Sequence, residues 1–147
     1  MLKKLAAFLV VFVMAFGVFF TSQAHADAVF GPAYWRTEDG KYELTVNATS
    51  TERDIAIDLR DVWYVNYNNG VAKRPADLSG LSVRLCSAST GNCTAFKKFS
   101  EHYGQGYAGT VSFYSMIPGT YYVDIVDSWP AYYFKGQIKA LRERNEE

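Results

Sequence analysis

The sequence predicts an all-β protein, an antiparallel β-sandwich of jelly-roll or immunoglobulin-like type with about seven strands and one hairpin disulfide. Three observations predict it. From Gly31 onward, short segments alternate apolar and polar residues with period two, and none shows the periodicity of an amphipathic helix. Clusters of Gly, Pro, Asn and Ser separate those segments. Two cysteines flank a run of turn formers, so one strand can double back on another. A closed barrel is the structural alternative.

The chain opens with two lysines, an uncharged apolar run from Leu5 to Phe20, and then Ala24-His25-Ala26. A basic start, an apolar centre and a small-residue cleavage site make a secretory signal. Residues 1–26 are therefore expected to be removed, leaving residues 27–147 as a single sandwich domain. An uncleaved anchor is the alternative, because the run approaches the ~20 residues of a spanning helix. No later stretch is long and apolar enough to span. The Met-Leu-Lys-Lys opening has a bacterial style, and the expected location is secreted, cell-surface or periplasmic. The chain has 15 basic and 15 acidic residues, and loss of Lys3 and Lys4 with the leader brings the net charge to −2. That balance supplies no basic field for nucleic acid or anionic lipid.

Taken in order, "KYELTVNA" places Tyr42, Leu44 and Val46 on one face. "DIAIDLRD" places Ile55, Ile57 and Leu59 on one face, with Asp54, Ala56, Asp58 and Arg60 opposite, and "TSTER" reads as the hairpin connection between the two. "VWYVNY" continues extended from Val62 to Tyr67, and Asn68-Asn69-Gly70 is the strongest turn signal in the chain. "VAKRPADLSG" reads as a loop. "LSVRLC" is the next strand, and "TAFKKF" is its mate beyond the cysteine turn. "EHYGQGYAG", with three glycines, reads as a flexible connection, and "TVSFYSM", "TYYVDIV" and "AYYFKGQIKAL" complete the set.

The spacing of Cys86 and Cys93 predicts a structural staple in an oxidising compartment. Closing so small a loop stabilises by roughly 2 to 3 kcal/mol in the chain-entropy model. A redox pair has C-x-x-C spacing, and a zinc site needs four ligands, whereas His102 is the one histidine left after cleavage.

Ile117-Pro118-Gly119-Thr120 reads as a reversal before the last pair of strands, since proline presets the first turn position and glycine relaxes the second. Beyond it, alternation points Tyr121, Val123 and Ile125 inward and Tyr122, Asp124 and Val126 outward. The run "PGTYYVDI" resembles the end of the bacterial pre-peptidase C-terminal domain, a secreted jelly-roll-like sandwich whose last hairpin carries Gly-Thr-Tyr-Tyr-Val. The resemblance extends over Leu78–Leu141, through "LSGLSVRLCSASTGNCTAF". The chain departs from it in lacking an Asp-x-Asp-x-Tyr-like strand and in carrying Arg84. A fibronectin-like sandwich also places Pro-Gly-Thr before a tyrosine strand, but would set Tyr122 and Asp124 inward. The first resemblance implies a non-catalytic accessory or binding module.

Catalytic templates lack parts. A triad needs a base, and His102 stands in a Gly-rich loop with no G-x-S-x-G elbow. Asp58, Asp61, Asp124 and Asp127 have the residue type for glycoside hydrolysis, but a solvated sheet face also carries such residues. Asp54, Asp58 and Asp61 could serve calcium, although no EF-hand spacing is present. Neither an enzyme nor a cofactor is therefore expected. Aromatic residues make up 16% of the chain, more than one sandwich core needs. Within each pair of neighbours, alternation sends one ring outward. The candidate ligand-binding residues are Trp63, Tyr67, Tyr103, Tyr107, Trp129 and Tyr132, whose rings suit stacking on sugars or anchoring a protein. The expected partner is an extracellular or cell-wall polysaccharide. The alternative is an extracellular protein, with the chain serving as an inhibitor, an immunity-type factor or a protease accessory.

Overall fold

A computed structural model describes residues 28–145 other than residue 103. The leader, its cleavage site and Tyr103 lie outside the described residues. Nine strands pack as two antiparallel sheets, with no helix among the described residues. They are β1 (Ala28–Arg36), β2 (Leu44–Ala48), β3 (Asp54–Asn66), β4 (Ala72–Lys73), β5 (Leu81–Ser87), β6 (Ser100–His102), β7 (Gln105–Phe113), β8 (Gly119–Asp127) and β9 (Tyr132–Glu143). The larger sheet runs β1-β9-β3-β7-β6 with β4 also paired to β3, and the smaller runs β2-β8-β5. β1 and the two short strands β4 and β6 are additional to those expected, while the expected strand "TAFKKF" does not form, so nine stand in place of seven.

Alternation built the core as the sequence indicates. Ile55, Ile57 and Leu59 of β3, Val83 and Leu85 of β5, and Tyr121, Val123 and Ile125 of β8 are all buried between the sheets. Phe134, Ile138 and Ala140 of β9 meet them from the larger sheet. The Tyr121 hydroxyl donates to the Ile117 carbonyl at 2.6 Å, which satisfies the one polar atom that this inward ring brings along. Thr37, fully buried, joins the sheets: its hydroxyl donates to Asp127 and accepts from the Phe134 amide.

Several connections differ from the sequence reading, and the reason is shared: periodicity reports a strand's faces but not its neighbour. β2 pairs with β8 and β3 with β9 and β7, so "TSTER" crosses between sheets instead of closing a hairpin. The Pro118-Gly119 reversal likewise carries the chain from β7 in one sheet to β8 in the other. The segment 94–99 lies beside β5 through the bridge Val83↔Lys97 and the disulfide pair Cys86↔Cys93, without forming a continuous strand. The Asn68–Gly70 turn is present, with Gly70 at φ 69° and its amide bonded to the Asn66 carbonyl.

The supposed flexible connection at 101–109 is the β6–β7 hairpin. Gly104 takes the turn at φ 67°, whereas Gly106 and Gly109 give close approach. A Cβ on Gly106 would stand 2.5 Å from the backbone of Ala76 and Asp77, and one on Gly109 would stand 2.5 Å from Leu78 Cδ1.

β3 carries one irregularity that decides which side chains reach the outer face. Asp61, at φ 53°, is an extra residue against β9, where the register shifts between Arg60 and Trp63. Aspartate tolerates this left-handed conformation better than most residues. The bulge resets the alternation, so Val62 is fully buried and Trp63 turns to the outer face.

Candidate ligand-binding face

The site is assembled on the outer face of the larger sheet from three neighbouring strands. Register places Trp63 of β3 beside Lys135 of β9, and Lys135 beside Arg36 of β1. The next row along the strands holds Arg60, Gln137 and Tyr34. On the opposite side, Tyr133 of β9 stands beside Val65 of β3. Strands about 4.8 Å apart and rows about 7 Å apart make this a nearly flat grid roughly 14 Å long from Tyr133 to Gln137.

Each side of the grid is framed by an arginine on an aromatic ring. The Arg36 guanidinium lies 3.7 Å from the Tyr133 ring centroid. Arg74, which follows β4, lies 3.7 Å over Trp63 and 5.0 Å from Tyr107. Both Arg74 and the Trp63 indole N–H donate to Asp61 Oδ1, so the bulge residue anchors that side and its charge is matched. Arg74 also reaches the Val62 carbonyl at 3.2 Å. Tyr67 packs 5.2 Å from Tyr133, and its hydroxyl donates to Glu38 at 2.8 Å. That hydrogen bond, with burial and the Glu38 charge, holds the Tyr67 hydroxyl above the usual phenol range.

Between the frames runs an open groove of about 430 Å³, lined by Tyr34, Arg36, Asp61, Trp63, Tyr133 and Lys135 over Gly136. Glycine at the floor is required by packing on the core side, where a Cβ would meet the Arg60 carbonyl at 2.8 Å. Tyr34 rises from the edge strand at 84% exposure, and among the described residues no other ring or charged group packs against it.

Of the sequence candidates, the structure brings Trp63, Tyr67 and Tyr107 together here. It places Trp129 and Tyr132 elsewhere. Trp129 sits on Gly80 and packs against Tyr64 and Phe134 at centroid distances of 5.2 and 5.1 Å, and Tyr132 joins the same cluster 5.3 Å from Tyr64. In the neighbouring pair on β9 it is Tyr133 that faces outward. Tyr34, Arg36, Arg74 and Lys135 were not among the candidates. The face they share depends on strand pairing, which a single chain's periodicity does not display.

Farther along the same face, Asp58 is 5% exposed, unlike the solvated carboxylate the sequence suggested. It receives Arg60 at 3.0 Å, Thr110 at 3.1 Å and His102 Nε2 at 3.1 Å, with Lys139 at 3.9 Å. His102 Nε2 also meets Thr110 Oγ1 at 2.6 Å. A hydroxyl, an imidazole and a carboxylate are thus in contact, yet hydroxyl and carboxylate share one ring nitrogen. A nucleophile relay needs them on opposite nitrogens, so this arrangement fastens β6 to the sheet instead of activating Thr110.

The remaining carboxylates are dispersed. Asp54 accepts the Ser115 amide, Asp124 pairs with Arg84 at 2.7 Å, and Asp127 holds Thr37 and the Trp129 amide. No group of three or more metal-ligating side chains is placed to hold an ion among the described residues. Beside the smaller sheet, Glu38, Glu43, Asp124 and Asp127 line a second groove of about 580 Å³ with Lys41 and Tyr42. Burial, then the nearby Asp39, pushes the Glu43 carboxyl up to about 8.

Comparison with protein-family models, with characterised proteins and with solved structures finds no match to this chain.

Proposed function

We propose that the protein is a secreted, non-catalytic binding module that takes a polysaccharide on the outer face of its larger sheet. The observation that carries this reading is the groove itself: Tyr34 and Trp63 flank a strip of polar side chains fixed by strand register. Sugar rings offer apolar faces that stack on aromatics and hydroxyl rims that need donors and acceptors, and the strip provides both. The Cys86–Cys93 disulfide supports an oxidising compartment. An accessory role is also what the resemblance to the pre-peptidase C-terminal domain implies.

The test is retention of the disulfide-bonded protein on insoluble cell-wall and plant polysaccharides. Retention that free sugar releases, and that Trp63→Ala and Tyr34→Ala abolish, supports the reading. Retention indifferent to both substitutions places the site elsewhere.

One observation favours a second reading as a protein-interaction module. Tyr114 and Ile117 are 68% and 74% exposed at the crossing between sheets. Ile117 borders a groove of about 420 Å³ under the disulfide turn. An exposed apolar patch with a polar rim suits a protein partner such as a protease or a toxin.

A further inference from the structure

We propose that the polysaccharide is acidic, and that an anionic substituent on it seats between Arg36 and Lys135. This deepens the binding reading above and rests on it. The two residues are direct register partners on β1 and β9. Like charges facing one another across strands destabilise a sheet. Neither residue makes an ion pair among the described residues. The carboxylates near them are engaged: Asp61 by Arg74 and Trp63, Glu38 by Tyr67. Arg36, which also reaches the Tyr67 hydroxyl, and Lys135 therefore face one another with no carboxylate paired to either among the described residues.

The surroundings prepare those charges for a planar anion. Stacking on Tyr133 fixes the plane of the Arg36 guanidinium, so its N–H edge is oriented before any ligand arrives. A carboxylate, sulfate or phosphate bridging Arg36 and Lys135 would gain charge-assisted hydrogen bonds from both and remove their mutual repulsion. Trp63 and Tyr34 lie on either side of that seat, where the sugar ring bearing the anion, or its neighbour in the polymer, can stack. A nucleic acid is the poorer fit, because tracking a phosphate backbone takes a basic stripe. This face alternates its cations with Asp61 and the buried Asp58.

The test compares binding to polygalacturonate, to its fully methyl-esterified form and to a sulfated galactan, for the disulfide-bonded protein and for Arg36→Gln, Lys135→Gln and Trp63→Ala. The ester removes charge and leaves the sugar rings in place. The expected result is about tenfold tighter binding to an acidic polymer than to the ester, with either glutamine variant erasing most of that difference. Trp63→Ala should weaken both polymers alike. Preference for the sulfated over the carboxylated polymer would name the anion as sulfate and keep the seat. Equal binding to acid and ester, unchanged in the glutamine variants, would overturn the acidic ligand while leaving the polysaccharide reading intact. Retention on no polymer, charged or neutral, would overturn both.

Discussion

Two patches, one on the outer face of each sheet, resolve the same problem in opposite ways. On the smaller sheet the cross-strand neighbours Arg84 and Asp124 form an ion pair at 2.7 Å, and Arg84 also lies 4.6 Å from the Phe96 ring centroid. Nearby, Tyr42 and Tyr122 stack with centroids 4.8 Å apart. Charges and rings there satisfy one another. On the larger sheet one pair of cross-strand neighbours is Arg36 and Lys135, and Tyr34 has no ring partner among the described residues. The first arrangement is what stability alone selects. The second is locally less favourable and leaves charge and a ring face open to solvent, an arrangement that fits the binding role proposed above.

The largest effect tests the division of the aromatics. Trp129→Ala, which removes a ring lodged between Gly80, Tyr64 and Phe134, should cost about 3 kcal/mol of stability in chemical denaturation. Trp63→Ala on the proposed binding face should cost about 1 kcal/mol or less. Similar losses at both positions would erase the distinction between packing rings and binding rings.

A middle effect concerns Glu43 beside the smaller sheet. In the unfolded chain its carboxyl titrates near 4.5, whereas in the fold it titrates at about 8. Within that window the folded protein keeps a proton that the unfolded chain releases, so stability is fullest below about 4.5 and declines as pH rises towards 8. Glu43→Gln should flatten the decline and leave the protein about 1 kcal/mol more stable than wild type at the alkaline end, after allowance for solvent screening. Melting curves for the two proteins that stay parallel with pH would remove this contribution.

The smallest effect bears most directly on the comparison. Lys135→Glu turns a like-charge neighbour pair into an opposite one and should raise stability by about 0.5 kcal/mol, or roughly 2 °C in Tm. Arg84→Glu does the reverse on the other sheet and should lower stability by about 1 kcal/mol. If Lys135→Glu destabilises, the two faces do not differ in the way described.

How much of this was legible in the sequence depended on how local the signal was. The faces of β3, β5, β8 and β9 could be read because alternation is a property of one strand. The disulfide and the Asn68–Gly70 turn were legible for the same reason. β1 escaped notice because Gly31-Pro32 interrupts its alternation, and the structure shows a register shift at that point. The burial of Asp58 escaped because its partners His102 and Thr110 come from strands 44 and 52 residues away. The candidate face was half legible: periodicity sends one of each pair of adjacent rings outward, which is correct for Trp63 against Tyr64. The parity that Tyr132 shares with Phe134, Ile138 and Ala140 turns it inward and leaves Tyr133 facing out. That Arg36, Lys135 and Trp63 share a row was not legible, because it depends on the Asp61 bulge and on which strands are neighbours.

The two glycines of β7 have a consequence for how the chain finds its alignment. A one-residue slip in an antiparallel sheet is forbidden by alternation, because it turns the apolar face outward. A two-residue slip keeps every face correct, so apolar patterning gives no protection against it. Here the steric fit does. Moving β7 by two residues either way would bring Tyr107 or Val111 to the position where even a Cβ would stand 2.5 Å from Leu78. Gly106 and Gly109 thus act as notches in a key. They distinguish the native alignment from the alternatives that hydrophobicity alone would accept, and they set β7 so that Thr110 meets Asp58.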